Sequence, residues 1–261
     1  MTQAAPRKSD LGVRVLSAVV MIVVAGAALW LGGWAWRLFV LAVALGVLWE
    51  WWGLARGFAA GAASRMLWMA GGIAYVGTAA MTIVLLRDDH QNDFSIMLLV
   101  VLLGVIGTDI GAYFAGRAIG GPKIAPSISP SKTWAGLIGG GIAAAAMVLL
   151  VTWSWHSGVC EFVNPPFHDP TGNRVRFDGP CSFVLPPTPY LLISSGLAGA
   201  FIAVLAQAGD FFESWMKRRA GAKDSGALLP GHGGLFDRTD GLIAVLFALG
   251  LSAPSEVFWW L

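Results

Sequence analysis

Long apolar runs, separated by short polar segments, recur along the whole chain. A helix needs about 20 predominantly apolar residues to cross the hydrocarbon core of a bilayer. Seven runs approach that length, at about residues 15–31, 35–53, 67–86, 95–115, 134–153, 190–211 and 240–261. The pattern predicts an all-α, polytopic integral membrane protein with about seven transmembrane helices and at most about nine.

The composition agrees with a membrane protein. Of the 261 residues, 56% are hydrophobic and only 12% are charged, whereas soluble domains have about 25% charged residues. The formal net charge of +2 is too small to indicate a nucleic-acid partner. We expect one membrane domain over residues 1–261, in which the first run is an anchor and not a cleaved signal peptide.

The distribution of lysine and arginine predicts the orientation, because cytoplasmic loops carry an excess of these residues. With the N-terminus in the cytoplasm, 13 of the 17 basic residues lie on the inner side. The inner segments are then 1–14, 54–66, 116–133 and 215–239. This topology places segment 156–189 outside the cytoplasm. Its Cys160 and Cys181 would form a disulfide there or remain as two free thiols.

The densest group of charged residues lies in segment 209–240, between two apolar runs. It holds five acidic and five basic residues. Asp210, Glu213 and Lys217 recur at i, i+3 and i+7, so they share one face of a helix. A topology signal with attraction to anionic lipids would explain the cations. It does not explain the acids, since charges at a membrane need a partner or a polar cavity.

The residue types in this segment suit phosphates and hard metal ions. Carboxylates without thiols or paired histidines favour Mg²⁺, and lysine and arginine favour phosphate oxygens. The tripeptide His232-Gly233-Gly234 predicts backbone amides that form an anion-binding nest. Together these features indicate phosphoryl or nucleotidyl transfer. Asp240 either belongs to this site or caps the last helix.

A second candidate phosphate site precedes the fifth predicted span. Ser129 is expected to cap a helix whose first position is Pro130, and the free amides there would bind phosphate with Lys132 and Thr133. The predicted topology puts this segment on the same side as residues 209–240.

Two further acids lie in apolar spans. Glu50 is interpreted first as a structural residue, with Arg56 as its candidate partner, and alternatively as a functional residue. Asp109 shares a helical face with Tyr113 and Arg117, either as a structural polar network or as part of the site.

Segment 209–240 resembles the signature of the phosphatidate cytidylyltransferase (CDP-diacylglycerol synthase) family. The positions that fit are Ser214, Met216, Lys217, Arg218, Lys223, Asp224, Gly226, Leu229, Pro230, His232, Gly233, Gly234, Leu235, Asp237, Arg238 and Asp240, preceded by Gly209, Asp210 and Glu213. Asp109, segment 112–117 and the stretch SPSKTWAG resemble further motifs of the family. Ser131, Ala135 and Ser225 depart from the residues that are common there.

The resemblance implies transfer of a cytidylyl group from CTP to phosphatidate, which gives CDP-diacylglycerol and pyrophosphate for phospholipid biosynthesis. It implies Mg²⁺ as cofactor, with a second cation left open. Residues 95–240 would hold the catalytic motifs at the cytoplasmic face of the cell (inner) membrane. Membrane lipids are expected partners, and a homodimer is the expected assembly.

The resemblance also implies roles for individual residues. Asp210 and Asp237 are the leading metal ligands, followed by Asp224 and Asp240. Phosphate neutralisation is assigned to Lys217, Arg218, Lys223 and Arg238, and phosphate binding to Ser129, Lys132 and Thr133. His232 either orients pyrophosphate or is a structural turn residue. Ser214, Gly233, Gly234 and Asp109 complete the substrate-binding set.

Two alternative functions remain open from the sequence. One is a related CTP-dependent enzyme that acts on another lipid phosphate or on a polyprenol. The other is a transporter of an anionic solute, which the clustering of charges at one face disfavours.

Overall fold

The structure, a computed structural model, describes residues 11–87, 96–156, 167–168, 174–175, 188–229 and 231–252. The described residues form seven α-helices and one short antiparallel strand pair. The helices are α1 (Leu11–Leu31), α2 (Gly33–Phe58), α3 (Gly61–Arg87), α4 (Ile96–Ala118), α5 (Trp134–His156), α6 (Pro189–Ala220) and α7 (Phe236–Ser252). The strands are β1 (Phe167–His168) and β2 (Arg174–Val175).

The first six helices are each long and apolar enough to cross a membrane. The prediction of an all-α, polytopic membrane protein is therefore confirmed. The seventh helix has 17 described residues and is not among these six. Cys160, Cys181 and most of the acidic segment 87–93 lie outside the described residues, so the disulfide stays a prediction.

Two predicted boundaries differ clearly from the observed ones. The sixth span was expected to end at residue 211, but α6 continues for nine residues to Ala220. The hydropathy pattern ends where the charges begin, whereas the backbone stays helical because those charges share one face. The last helix begins at Phe236 and not at residue 240.

Local sequence accounts for several helix ends. The Thr188 side chain accepts a hydrogen bond from the Leu191 amide, and Pro189 follows at the first helical position of α6. Gly221 ends α6 in the left-handed region, with φ of 67°, a conformation that favours glycine. Gly32 has φ of 61° between α1 and α2.

Small residues allow α4 and α5 to pack closely. A Cβ atom added at Gly111 would lie 2.4 Å from the Gly139 carbonyl oxygen, and one added at Gly139 would lie 2.2 Å from the Ala115 Cβ. The backbones can approach this far only because these side chains are absent. The α4–α5 pair then packs on α6, and α7 packs between α6 and α3.

Helix α1 has few protein contacts. Only 6% of its apolar stretch Arg14–Leu31 is buried inside the protein, and its main neighbour is α2. Its exposed side is apolar, with Ile22 and Val23 among the exposed side chains. This surface is suited to lipid contact.

Three of the segments predicted to be cytoplasmic, 54–66, 116–133 and 215–239, converge at one end of the bundle, close to the first described turns of α1. Arg219 of α6 stacks over Phe58 of α2 at 5.9 Å, and Arg218 donates a hydrogen bond to the Ile128 carbonyl in the α4–α5 loop. Ser17, near the start of α1, contacts His232 in the α6–α7 loop. This common end carries the candidate site.

Candidate active site

The first group of site residues joins the two motifs that the sequence singled out. Lys132, just before α5, forms a salt bridge with Asp210 of α6. Ser214 Oγ also donates to Asp210 Oδ1 at 3.4 Å. Asp109 of α4 and Asp240 of α7 lie within electrostatic reach of this pair. The predicted convergence of the upstream and downstream motifs is therefore observed in the structure.

Negative charge is concentrated in this first group. The carboxylates of Asp210 and Asp109 are close enough to Asp240 to interact unfavourably with its ionised form. The Gly241 amide donates to Asp240 Oδ1 at 2.8 Å and stabilises that form. A cation near these carboxylates would favour their ionised forms.

The second group is centred on Lys217. Its Nζ lies 2.6 Å from Glu213 Oε2 and 2.6 Å from Asp237 Oδ1. Glu213 is buried, and its Oε1 has no hydrogen-bond partner among the described residues. Glu213 and Lys217 of the predicted helical face thus form an ion-pair network with Asp237 of α7, whereas Asp210 of the same face pairs with Lys132.

Asp237 is held on its other oxygen as well. Its Oδ2 accepts hydrogen bonds from the Ser225 amide at 2.9 Å and the Gly234 amide at 3.0 Å. The Ser225 hydroxyl lies 3.0 Å from the same oxygen and donates its one proton either to Asp237 or to Glu50. The Lys217 ammonium group on Oδ1 and the amide donors on Oδ2 both favour the ionised form of Asp237. Asp237 is therefore an ionised carboxylate in a fixed orientation.

Glu50 belongs to this region and does not have the partner that the sequence suggested. Its carboxylate accepts from the amides of Leu235 and Phe236, and its Oε2 lies 2.9 Å from the Ser225 hydroxyl. Arg56 instead stacks on Trp52, 5.5 Å from the ring centre. The predicted Glu50–Arg56 pair was wrong, because the prediction considered only residues near Glu50 in sequence. The observed partners lie about 185 residues away.

The predicted anion-binding nest is also wrong. The amides of His232 and Gly233 both donate to the Leu229 carbonyl, at 3.0 and 3.2 Å, and the Gly234 amide donates to Asp237. All three donors are used within the protein. The glycines instead allow a tight turn, since Gly233 has φ of 86°.

The segment before α5 caps its helix differently from the prediction. The helix begins at Trp134, and the Thr133 hydroxyl accepts from the Gly136 amide at 3.0 Å. Thr133 is 3% exposed, so its hydroxyl is a buried helix cap and not an open phosphate ligand. Ser129 is buried as well and lies before the helix. Lys132 is the residue of this segment that reaches the acidic group.

Asp240 does not cap the last helix, because α7 begins four residues earlier.

Asp109 lies close enough to Lys132 and Asp210 to interact with their charges. Arg117, on the same helix, donates to the Tyr113 hydroxyl at 3.2 Å, which is the intrahelical contact that the spacing predicted.

The remaining predicted site residues surround the mouth of the site. Lys223, Asp224 and Arg238 are exposed. Arg238 donates to the His232 carbonyl at 2.9 Å, and His232 Nδ1 lies 2.8 Å from Ser17 Oγ. Sequence reasoning missed Ser17, although a hydroxyl within the apolar run 15–31 was a usable signal. It also missed the bridging role of Ser225.

The donor chemistry of the site fits a hard divalent cation. All candidate ligands are carboxylates, and the Glu213 Oε1 is a buried acceptor without a donor in the described part. The fit is partial, since among the described residues no three acidic, histidine or cysteine side chains converge as a ready metal site. In this structure Lys132 and Lys217 neutralise the carboxylates of Asp210 and Asp237.

The fold and this polar site define a class: an integral membrane protein with paired lysines and carboxylates at one end of its helical bundle. Comparison with known proteins narrows the class. The profile of the cytidylyltransferase family matches residues 58–252, and the chain belongs to this family.

Several relatives align over nearly the full chain. A phosphatidate cytidylyltransferase from Brucella suis is 33% identical, with 96% of this chain and 98% of that protein aligned. The protein of the same name from Rickettsia bellii is 32% identical, over 91% of this chain and 88% of its own length.

Proposed function

We propose that this protein transfers the cytidylyl group of CTP to phosphatidate. A phosphate oxygen of phosphatidate attacks the α-phosphorus of CTP and forms a new P–O bond. The bond from that phosphorus to the bridging oxygen breaks, and pyrophosphate leaves with the electron pair. The observation that carries the proposal is the meeting of both motif segments through the Lys132–Asp210 salt bridge, while the Lys217–Asp237 pair joins α6 to α7 in the same charged region.

The charged residues suit this reaction because every reactant is an anion. The nucleophile is already ionised, so the main requirement is to bring two anions together and to stabilise the leaving group. The cations assigned to these phosphates are Lys132, Lys217, Arg218, Lys223 and Arg238. His232, anchored by Ser17, is assigned to the pyrophosphate side.

Mg²⁺ is the proposed cofactor, and it would neutralise phosphate charge and the developing charge on pyrophosphate. Asp210 and Asp237 would hold it, with Asp224 and Asp240 as further ligands. Lysines that now contact these carboxylates would then be released to contact phosphate oxygens. This exchange offers one role for the two salt bridges.

We further propose that the site faces the cytoplasm from the cell (inner) membrane, where CTP is available. The diacylglycerol chains would remain in the bilayer while the head group reaches the site between helices. The homodimer expected from the sequence stays a prediction.

The test is incorporation of radiolabel into lipid by the purified protein. Label from α-labelled CTP, but not from γ-labelled CTP, is expected in a lipid product when phosphatidate and Mg²⁺ are present. Transfer of the γ-label would instead indicate a lipid kinase, and vesicle uptake of an anion without CTP turnover would indicate a transporter.

The variant Asp237→Asn is expected to lower CDP-lipid formation at least about 100-fold, because it removes the negative charge that would hold Mg²⁺ and that pairs with Lys217. Asp93→Asn, in the acidic segment predicted to lie on the opposite side, serves as the control. Full activity of Asp237→Asn would contradict the assignment.

A further inference from the structure

Glu50 is a buried carboxylate that the proposed chemistry does not use. It lies in α2 and is 3% exposed. Its Oε1 accepts from the Leu235 amide at 3.0 Å, and its Oε2 accepts from the Phe236 amide at 2.8 Å. Burying a carboxylate is costly unless such hydrogen bonds compensate for lost water. This side chain therefore has a specific role in the architecture.

The amides that Glu50 accepts from belong to the start of α7. The first amides of a helix have no acceptors within the helix, and a side chain next to the helix in sequence usually supplies one. Here the acceptor comes from another helix, and its negative charge is favourable at a helix N-terminus. Glu50 thereby fixes where α7 begins relative to α2.

Ser225 extends this connection to the reaction site. Its hydroxyl lies 2.9 Å from Glu50 Oε2 and 3.0 Å from Asp237 Oδ2. The Asp237 amide in turn donates to the Ser225 hydroxyl at 3.3 Å. The orientation of Asp237 thus depends on a chain of contacts that starts at Glu50.

Two glycines leave space for the Glu50 side chain. A Cβ added at Gly226 would lie 2.3 Å from Glu50 Oε1, and one added at Gly234 would lie 2.7 Å from Oε2. Contacts this short would force the Glu50 carboxylate to shift from its observed position. The loop between α6 and α7 is therefore shaped around the carboxylate of residue 50.

We propose that Glu50 is a positioning residue for the transfer reaction. It holds the start of α7 and, through Ser225, sets the orientation of the Asp237 carboxylate. The catalytic part of this proposal rests on the proposed function, whereas the structural part can be tested without any substrate.

The first test compares Glu50→Gln with wild type. Glutamine keeps the shape but has one acceptor oxygen, so its amide group faces an N–H or O–H donor. We expect kcat to fall at least about tenfold while KM for CTP changes less than about threefold, because Glu50 orients a reacting group and does not bind substrate. Thr82→Ala, an equally buried polar position in α3, controls for general loss of stability and should keep its kcat.

The second test asks whether Glu50 acts through Ser225. The double variant Glu50→Gln/Ser225→Ala should have about the kcat of the weaker single variant, since residues in one network are not additive. Fully additive losses, or wild-type kcat in Glu50→Gln, would overturn the proposal.

A steric test uses the adjacent glycine. Gly226→Ala alone should lower kcat strongly, but it should add little once Glu50→Ala has removed the clashing atoms. Gly53→Ala, where an added Cβ meets nothing within 4 Å, should be neutral. An equal effect of Gly226→Ala with and without Glu50 would also overturn the proposal.

Hydrogen–deuterium exchange separates this inference from the proposed function. In substrate-free Glu50→Gln, peptides that span residues 231–238 should exchange faster than in wild type, because the Leu235 and Phe236 amides lose an acceptor. If the wild-type protein makes no CDP-lipid and Glu50→Gln still exchanges faster, the positioning role of Glu50 is supported and the proposed reaction is overturned. Unchanged exchange would overturn the positioning itself.

Discussion

Lys217 is the shared partner of two carboxylates, those of Glu213 and Asp237. Both carboxylates are largely removed from water. Without the ammonium group, two neighbouring acids would be left to repel each other. The lysine is therefore required for the fold of the site as well as for the proposed binding of phosphate.

The variant Lys217→Met tests this dependence. We expect the metal-free protein to lose about 2–4 kcal/mol of unfolding free energy, because removing one partner leaves buried charge uncompensated. Adding Glu213→Gln should recover part of that loss. Thermal unfolding in detergent provides the measurement.

Lys123→Met, at an exposed loop position, is the control and should change stability by less than about 0.5 kcal/mol. Equal stability of Lys217→Met and Lys123→Met would contradict the shared ion pair.

The sequence was sufficient to identify most of the charged residues of the site but not their bonding partners. The acids and lysines were predictable because charge is rare and expensive in an apolar chain. The amides of His232 and Gly233 were misassigned because the acceptor that uses them, the Leu229 carbonyl, depends on the turn geometry. The role of Glu50 was hidden for a similar reason, since its partners come from a distant segment.

At the scale of elements, α4 and α5 form the tightest helix pair. This pair matters for the site because α4 carries Asp109 and α5 directly follows Lys132. The close approach depends on glycines such as Gly139, which has no space for a methyl group.

The variants Gly139→Ala and Gly141→Ala form a matched pair within α5. The first should destabilise the protein by about 1–3 kcal/mol, because its Cβ would overlap Ala115. The second meets only the Ala203 Cβ, at 4.0 Å, so it should be neutral or slightly stabilising. Unfolding midpoints of the two purified proteins provide the comparison, and equal destabilisation would contradict the packing described here.

Element types were predictable from hydropathy, but element ends were less so. The apolar pattern located all seven helices of the described residues, since each must present an apolar surface to lipid or to its neighbours. It ended α6 too early, because a helix whose charges lie on one face can extend beyond the apolar region. It began α7 too late, because the stabilising acceptor for that helix start is Glu50 in α2.

The whole molecule has its site at one end, and the orientation of that end is testable. A helix of 32 residues, such as α6, is about 48 Å long, so Thr188 and the site lie at opposite ends. In a background in which both native cysteines are serine, Lys123→Cys should react with an impermeant maleimide only from the cytoplasmic side. Thr188→Cys should react only from the other side, and labelling of both from one side would contradict the topology.

Helix α1 is little buried by the rest of the protein and yet contributes Ser17, the contact of His232. A membrane helix can adjust its tilt to the hydrophobic thickness of the surrounding bilayer, and a change in the tilt of α1 would displace Ser17. Such a displacement would couple the imidazole at the mouth of the site to the physical state of the membrane. A protein in this arrangement would sense the acyl-chain length of the bilayer whose lipids it helps to supply.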